Sequence, residues 1–138
     1  MLYRTTVDVD APAERVWSLV HDVEAWPSWT PTMSTVELQG PRLEPGVPVR
    51  VRQPGHRTDV YTVLAVEDHR FLWAARKTGF RQWADHRVTS LGPEHCRVDL
   101  AFGVDGVLAP VVGPLARRTV VRLVDTEAAS LKARAEAG

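Results

Sequence analysis

The sequence predicts an α+β domain built on an antiparallel sheet, and three observations carry that reading. Residues 2–10 alternate between apolar and polar, with Thr5, Val7 and Val9 set against Arg4, Asp8 and Asp10. Residues 49–105 form short β-type runs separated by turn signals such as Gln53-Pro-Gly-His56, Glu67-Asp-His-Arg70 and Leu91-Gly-Pro-Glu94. From Val107 to Ala137 the composition turns to Ala, Leu, Arg and Glu, and Leu115, Thr119, Leu123, Thr126 or Glu127, and Leu131 recur every three or four residues. Strand-type and helix-type runs are segregated, which separates this class from alternating βαβ folds.

The opening strand runs into Asp10-Ala-Pro-Ala-Glu14. There Asp10 or Ala11 is the expected cap, Pro12 fits the first turn and Glu14 suits the positive end of the helix dipole. Val16, Trp17, Leu19, Val20 and Val23 keep helical spacing, which sets a first helix over residues 12–22. Pro27 and Pro31 forbid a long helix next, so residues 24–31 read as a short helical turn and an irregular crossing. A strand returns from Met33 to Gln39, and residues 41–48, with three prolines and one glycine, form a loop.

Val49 and Val51 alternate with Arg50 and Arg52, a strand with a solvated arginine face. Two hairpins follow, 58–67 with 70–76 and 80–90 with 95–104. In the second, a turn near Gly92-Pro93 sets Arg87 opposite Asp99, Val88 opposite Val98 and His86 opposite Leu100, with Arg87 and Asp99 as a cross-strand pair. Its inner face is then apolar except for Gln82 and His86, and a slip of one residue would scramble that sorting. In the first hairpin, Val60, Thr62, Leu64, Val66, Phe71 and Trp73 are read as the core face, with Tyr61, Ala65, Leu72 and Arg76 outside. The terminal helix follows a start broken by Pro110, Gly113 and Pro114.

At 138 residues the chain reads as one domain over 1–138, able to bury about two-thirds of its unfolded surface without disulfides. Its 17 basic and 17 acidic side chains cancel, which removes the basic excess of a nucleic-acid binder and the polybasic case for anionic membranes. No apolar run approaches the roughly 20 residues needed to cross a bilayer, and the charged, alternating N-terminus is not a signal peptide. The single cysteine, Cys96, cannot make an internal disulfide, so a reducing cytoplasm is the expected location. Ile and Asn are absent and arginine outnumbers lysine 15 to 2, a codon bias that points to a high-GC bacterium. The same bias warns against reading the arginines as phosphate ligands.

The histidines show no HxxxH or comparable spacing, so no metal is expected. Neither a glycine-rich phosphate loop nor a Gly-x-Ser-x-Gly elbow is present, so no cofactor is expected. Alternation puts His95 and Cys96 on opposite faces, leaving Cys96 as a small buried hydrophobe.

Four segments, in this order, resemble the helix-grip superfamily of START domains, birch-pollen-allergen-like proteins and polyketide cyclase/dehydrase proteins. They are Ala11-Pro-Ala-Glu-Arg-Val-Trp17, Trp26-Pro-Ser-Trp-Thr-Pro31, the pair Asp85–Val88 with Arg97–Phe102, and the terminal run Arg122–Glu136. The resemblance implies a curved sheet of six or seven strands around the long C-terminal helix, with one or two short helices after the first strand. It also implies a cavity between sheet and helix that takes an apolar or aromatic molecule such as a polyketide or lipid. Trp26 and Trp29 would stand near its mouth, Met33, Trp73, Phe102, Leu115 and Thr119 on its walls, and Gln82 and His86 as polar contacts.

Two rivals stand beside that binding reading. One is a polyketide aromatase, cyclase or dehydratase with an acyl carrier protein as partner. His86 is its best catalytic candidate, because an imidazole titrates near neutral pH. His86 reads first as a core imidazole held by a backbone or helix group, next as a ligand contact and last as an acid or base. The other rival is a partner-binding adaptor related to chaperone activators, with an apolar patch around Trp83 and a filled interior. Trp17 is read as core, and Trp83, beside Arg81 and Asp85 on the outer face, as a homodimer contact or a ring covered by a loop. Of the arginines on the last helix only Arg122 has the spacing to lean toward a cavity, and Glu127 five residues on is poorly placed to pair with it.

Overall fold

A computed structural model describes residues 1–138. Seven strands, β1 (Leu2–Val9), β2 (Thr35–Leu38), β3 (Pro48–Arg52), β4 (Asp59–Glu67), β5 (Arg70–Lys77), β6 (Phe80–Gly92) and β7 (His95–Asp105), form one antiparallel sheet in the order β1-β7-β6-β5-β4-β3-β2. Helix α1 (Ala13–His21) and a 3-10 turn (Val23–Ser28) follow β1, and the 28-residue helix α2 (Ala109–Glu136) closes the chain. This is the helix-grip arrangement: the sheet curves and α2 lies in its concave side.

The predicted β6/β7 register is the one observed, with Arg87 opposite Asp99, Val88 opposite Val98 and His86 opposite Leu100. Arg87 and Asp99 do not form the expected ion pair, because Asp99 instead accepts a 2.7 Å hydrogen bond from the Thr6 hydroxyl of β1. On the inner face Val88, Cys96, Val98 and Leu100 are buried, and they join Val9, Val16, Val20 and Phe71 in one core.

Over its first half β4 presents the opposite face to the core from the one expected. Val60 and Leu64 are 53% and 44% exposed, whereas Tyr61 and Val63 are 6% and 1% exposed. Past Val63 the pairing with β5 shifts, Val63 facing Trp73 and Ala65 facing Leu72, so Leu64 is an extra bulged residue. The bulge reverses the alternation, which is why Val66 and Phe71 still point inward as expected. It also bends the sheet around α2.

Two helix boundaries differ from expectation. Pro12, in extended conformation, is the N-cap of α1 in place of Asp10 or Ala11. Helix α2 begins six residues before Leu115, at Ala109, and absorbs all three supposed breakers. Pro110 sits in the first turn, where its missing N–H is one the helix leaves unsatisfied anyway. Gly113 lets the helix close on the N-terminus, since a Cβ there would lie 2.7 Å from the Met1 Cβ. Val120, Val124, Ala128, Leu131 and Ala135 form the buried stripe of α2. Arg122 is exposed on the opposite side and does not lean into the cavity. Tyr3 donates a 2.6 Å hydrogen bond to Asp125, which ties α2 to β1.

On the convex face the Trp83 ring lies over Gly103, its register partner on β7. A Cβ at Gly103 would come within 2.3 Å of the indole, so the ring's seat depends on glycine. Gly103→Ala should therefore displace Trp83 and lower stability by about 1–3 kcal/mol, read as a shifted urea midpoint at unchanged slope.

Candidate functional site

Between the concave face and α2 lies a cavity of about 210 Å³. For scale, a dry cavity of about 150 Å³ already accepts one benzene ring. Trp26 and Trp73 form its aromatic wall, with Phe102 from β7 and Thr119, Leu123 and Val124 from α2 opposite. Trp26 is held by its own backbone neighbourhood: its indole N–H donates 3.1 Å to the Val20 carbonyl. Its ring centroid is 5.5 Å from that of Trp73, a tilted pair. Trp26 sits in the 3-10 turn Val23–Ser28, which Pro27 and Pro31 after it keep from extending into a longer helix.

The structure brings Trp26, Met33, Trp73 and Thr119 together in this lining with Gln82, His86 and Phe102. It leaves out two candidates. Leu115 is 81% exposed and faces solvent: the α2 wall begins at Ala116 and runs through Thr119, Val120, Leu123 and Val124, so Leu115 lies just beyond its end. Trp29 packs behind Trp26 at 5.6 Å between ring centroids, and its buried indole N–H has no partner.

The polar groups fall into three sets. On β4 to β6 a chain of contacts runs from Lys77, which pairs with Asp59, to the Gln82 amide, which donates to Asp59 at 3.3 Å and to the Tyr61 hydroxyl at 2.7 Å. Burial raises the Tyr61 phenol well above its ordinary range, the Asp59 charge adds to that, and the Gln82 bond opposes it. The hydroxyl therefore stays neutral and, already accepting from Gln82, keeps its own proton to donate.

His86 is stacked on Phe71 at 4.1 Å and shares a 3.3 Å contact between Nδ1 and the Phe71 carbonyl. Burial pushes its pKa down to about 4, against the pull of that carbonyl. The imidazole is thus neutral at pH 7, with Nδ1 donating and Nε2 left as an acceptor, and it does not titrate near neutral pH as its type suggested.

Glu127 is the third. It projects from the inner side of α2 onto the cavity, and its Oε1 is sealed from solvent with no hydrogen-bond partner, although the residue as a whole is only partly buried. Burial pushes its pKa up to about 8. Tyr61, Asp59 and Glu127 were all missed as site residues. The bulge concealed Tyr61 and Asp59. Glu127 was legible as the carboxylate that follows Leu123 by one helical turn on a buried stripe.

The family model for polyketide cyclase / dehydrase and lipid transport matches residues 2–136. The chain belongs to this family. Solved structures of similar fold accompany that membership of the polyketide cyclase / dehydrase and lipid transport family. A START superfamily protein from Mycobacterium smegmatis superposes with a TM-score of 0.81 at 23% identity, covering 98% of this chain and 97% of that one. A hypothetical protein from Helicobacter pylori gives 0.82 at 13% identity, covering 98% of this chain and 88% of that one. The di-domain ARO/CYC BexL gives 0.75 at 20% identity, covering 96% of this chain and 45% of that one, so this family member spans somewhat less than half of BexL. At these identities the likeness is one of fold. No curated protein matches the sequence. No helix is long and apolar enough to cross a membrane.

Proposed function

We propose that the protein binds an apolar, ring-bearing small molecule in the cavity between the sheet and α2. The observation that carries this reading is the unfilled space of about 210 Å³ beside the paired indoles of Trp26 and Trp73. A small set of polar groups, Gln82, Tyr61 and His86, on otherwise apolar walls is the usual makeup of a small-molecule site. The family's compass of polyketides and lipids supports the same ligand class. An interior with this much space runs against the adaptor reading, which needs it filled.

Titration of an aromatic probe such as phenethyl alcohol tests the reading, with tryptophan fluorescence as the readout. Saturable quenching is expected in the native protein. It should be lost when Ala116 on the α2 wall is replaced by tryptophan, which fills the space from one side. Equal binding by both forms would place the probe elsewhere and sink the proposal.

A polyketide cyclase or dehydratase acting on a carrier-bound substrate is the second reading, and one observation favours it. Glu127 is a buried carboxyl with a pKa of about 8, near the operating range of a general acid or base, and Tyr61 beside it has a proton to donate. On this reading Glu127, rather than His86, would hold the proton.

A further inference from the structure

Every carboxyl group on the cavity lining except one already has a cationic partner. Asp59 pairs with Lys77, and Asp85 takes a two-point hydrogen bond from Arg70 at 2.9 and 2.9 Å. Glu127 has none, and no lysine or arginine lines the cavity. The same cavity is lined by the rings of Trp26, Tyr61, Trp73 and Phe102, and aromatic faces attract cations. An apolar molecule alone leaves a sealed carboxyl oxygen unsatisfied, which costs free energy at a buried site. A ligand that supplies a charge-assisted donor removes that cost.

We propose that the cavity's preferred ligand class is an amine, an aromatic or alicyclic body carrying a basic nitrogen whose ammonium pairs with the Glu127 carboxylate while its body lies against the Trp26 and Trp73 rings. This rests on the cavity being a binding site and adds the charge of its occupant. The proton balance is explicit. The free protein holds a proton on Glu127 at pH 7, the amine arrives as its ammonium ion, and the complex contains carboxylate and ammonium, so the Glu127 proton leaves to solvent. The other titratable groups on the lining are His56, Asp59, Tyr61, Asp85 and His86. Of these, Tyr61 and His86 are neutral at pH 7.

Phenethylamine and phenethyl alcohol, alike in shape and different in charge, test it by calorimetry at pH 7 in two buffers of different ionisation enthalpy. The amine should bind about tenfold or more tighter than the alcohol, with release of about 0.9 proton per ligand, since a pKa one unit above the pH leaves about nine-tenths of the carboxyl protonated. Glu127→Gln should abolish both the preference and the proton release, with a far-UV circular dichroism spectrum matching that of the native protein to report that the variant is folded. An alcohol that binds as tightly as the amine overturns the inference and leaves the cavity reading intact. If neither probe binds the native protein, the cavity reading fails and the inference with it.

Discussion

Replacing Trp26 by alanine should lower the unfolding free energy by about 3–5 kcal/mol, the largest single-residue effect expected in this protein. The indole is 1% exposed and is packed against Trp29, Phe71, Trp73 and His86, with centroid separations of 5.4 to 6.1 Å. Removing it opens a void where four rings meet and leaves the Val20 carbonyl without its donor. A domain of this size has roughly 5–15 kcal/mol to lose, so the variant should sit near the edge of folding at 37 °C. Chemical denaturation measures it, with a fall in midpoint at constant slope as the expected result. A loss below about 1 kcal/mol would mean that the ring does not organise this end of the core.

Stability should also depend on pH in a way set by two buried groups of opposite sign. Glu127 has a pKa of about 8 in the folded chain and 4.5 ordinarily, so between those values the folded state holds a proton that the unfolded state has lost. Its contribution makes stability fall as pH rises through that window. His86 has a pKa of about 4 against 6.5, so the unfolded state binds a proton that the folded state refuses, and stability falls as pH drops from 6.5 to 4. Between 4.5 and 6.5 the two slopes oppose, and a plateau is expected. From pH 6.5 to 8 only Glu127 acts, which costs on the order of 2 kcal/mol. Urea denaturation across pH 4 to 9 should trace this profile. In Glu127→Gln the alkaline decline should disappear and the plateau with it, so that the His86 decline runs unopposed from pH 6.5 down to 4. A variant that retains the alkaline decline would show that another group carries it.

The fold was legible in the sequence because each of its parts carries a local signal that burial enforces. The β6/β7 register followed from sorting apolar side chains onto one face, and Pro27 and Pro31 announced the irregular crossing after α1. The failures have physical causes of a different kind. An extra residue in β4 reverses the facing of every position before it, and no local propensity marks Leu64 as that residue. Both faces of that hairpin are apolar, so alternation did not arbitrate. Pro110, Gly113 and Pro114 looked like a broken start because their tolerance in α2 comes from position within the first turns and from contact with Met1.

The candidate site was legible in its walls and not in its chemistry. Trp73, Phe102, Gln82 and His86 were nominated by face and Trp26 by the resemblance of its segment, and the fold puts all five on one cavity. Leu115 was nominated by helical spacing; the same row places Thr119, Leu123 and Glu127 on the cavity, but Leu115 lies beyond the end of that wall, which spacing alone does not reveal. Residue type suggested a titrating imidazole at His86 and gave Glu127 no role at the site. Burial lowers the pKa of the first and raises that of the second, and burial is a tertiary property that composition does not carry.

Native mass spectrometry of the protein purified without added ligand, beside its Ala116→Trp variant, tests the central claim most directly. If the space between the sheet and α2 is a ligand site, the native protein should carry a retained small molecule, or take one up from an aromatic and lipid panel, and the variant should not. Binding of the same molecule at the same occupancy by the variant would contradict the account.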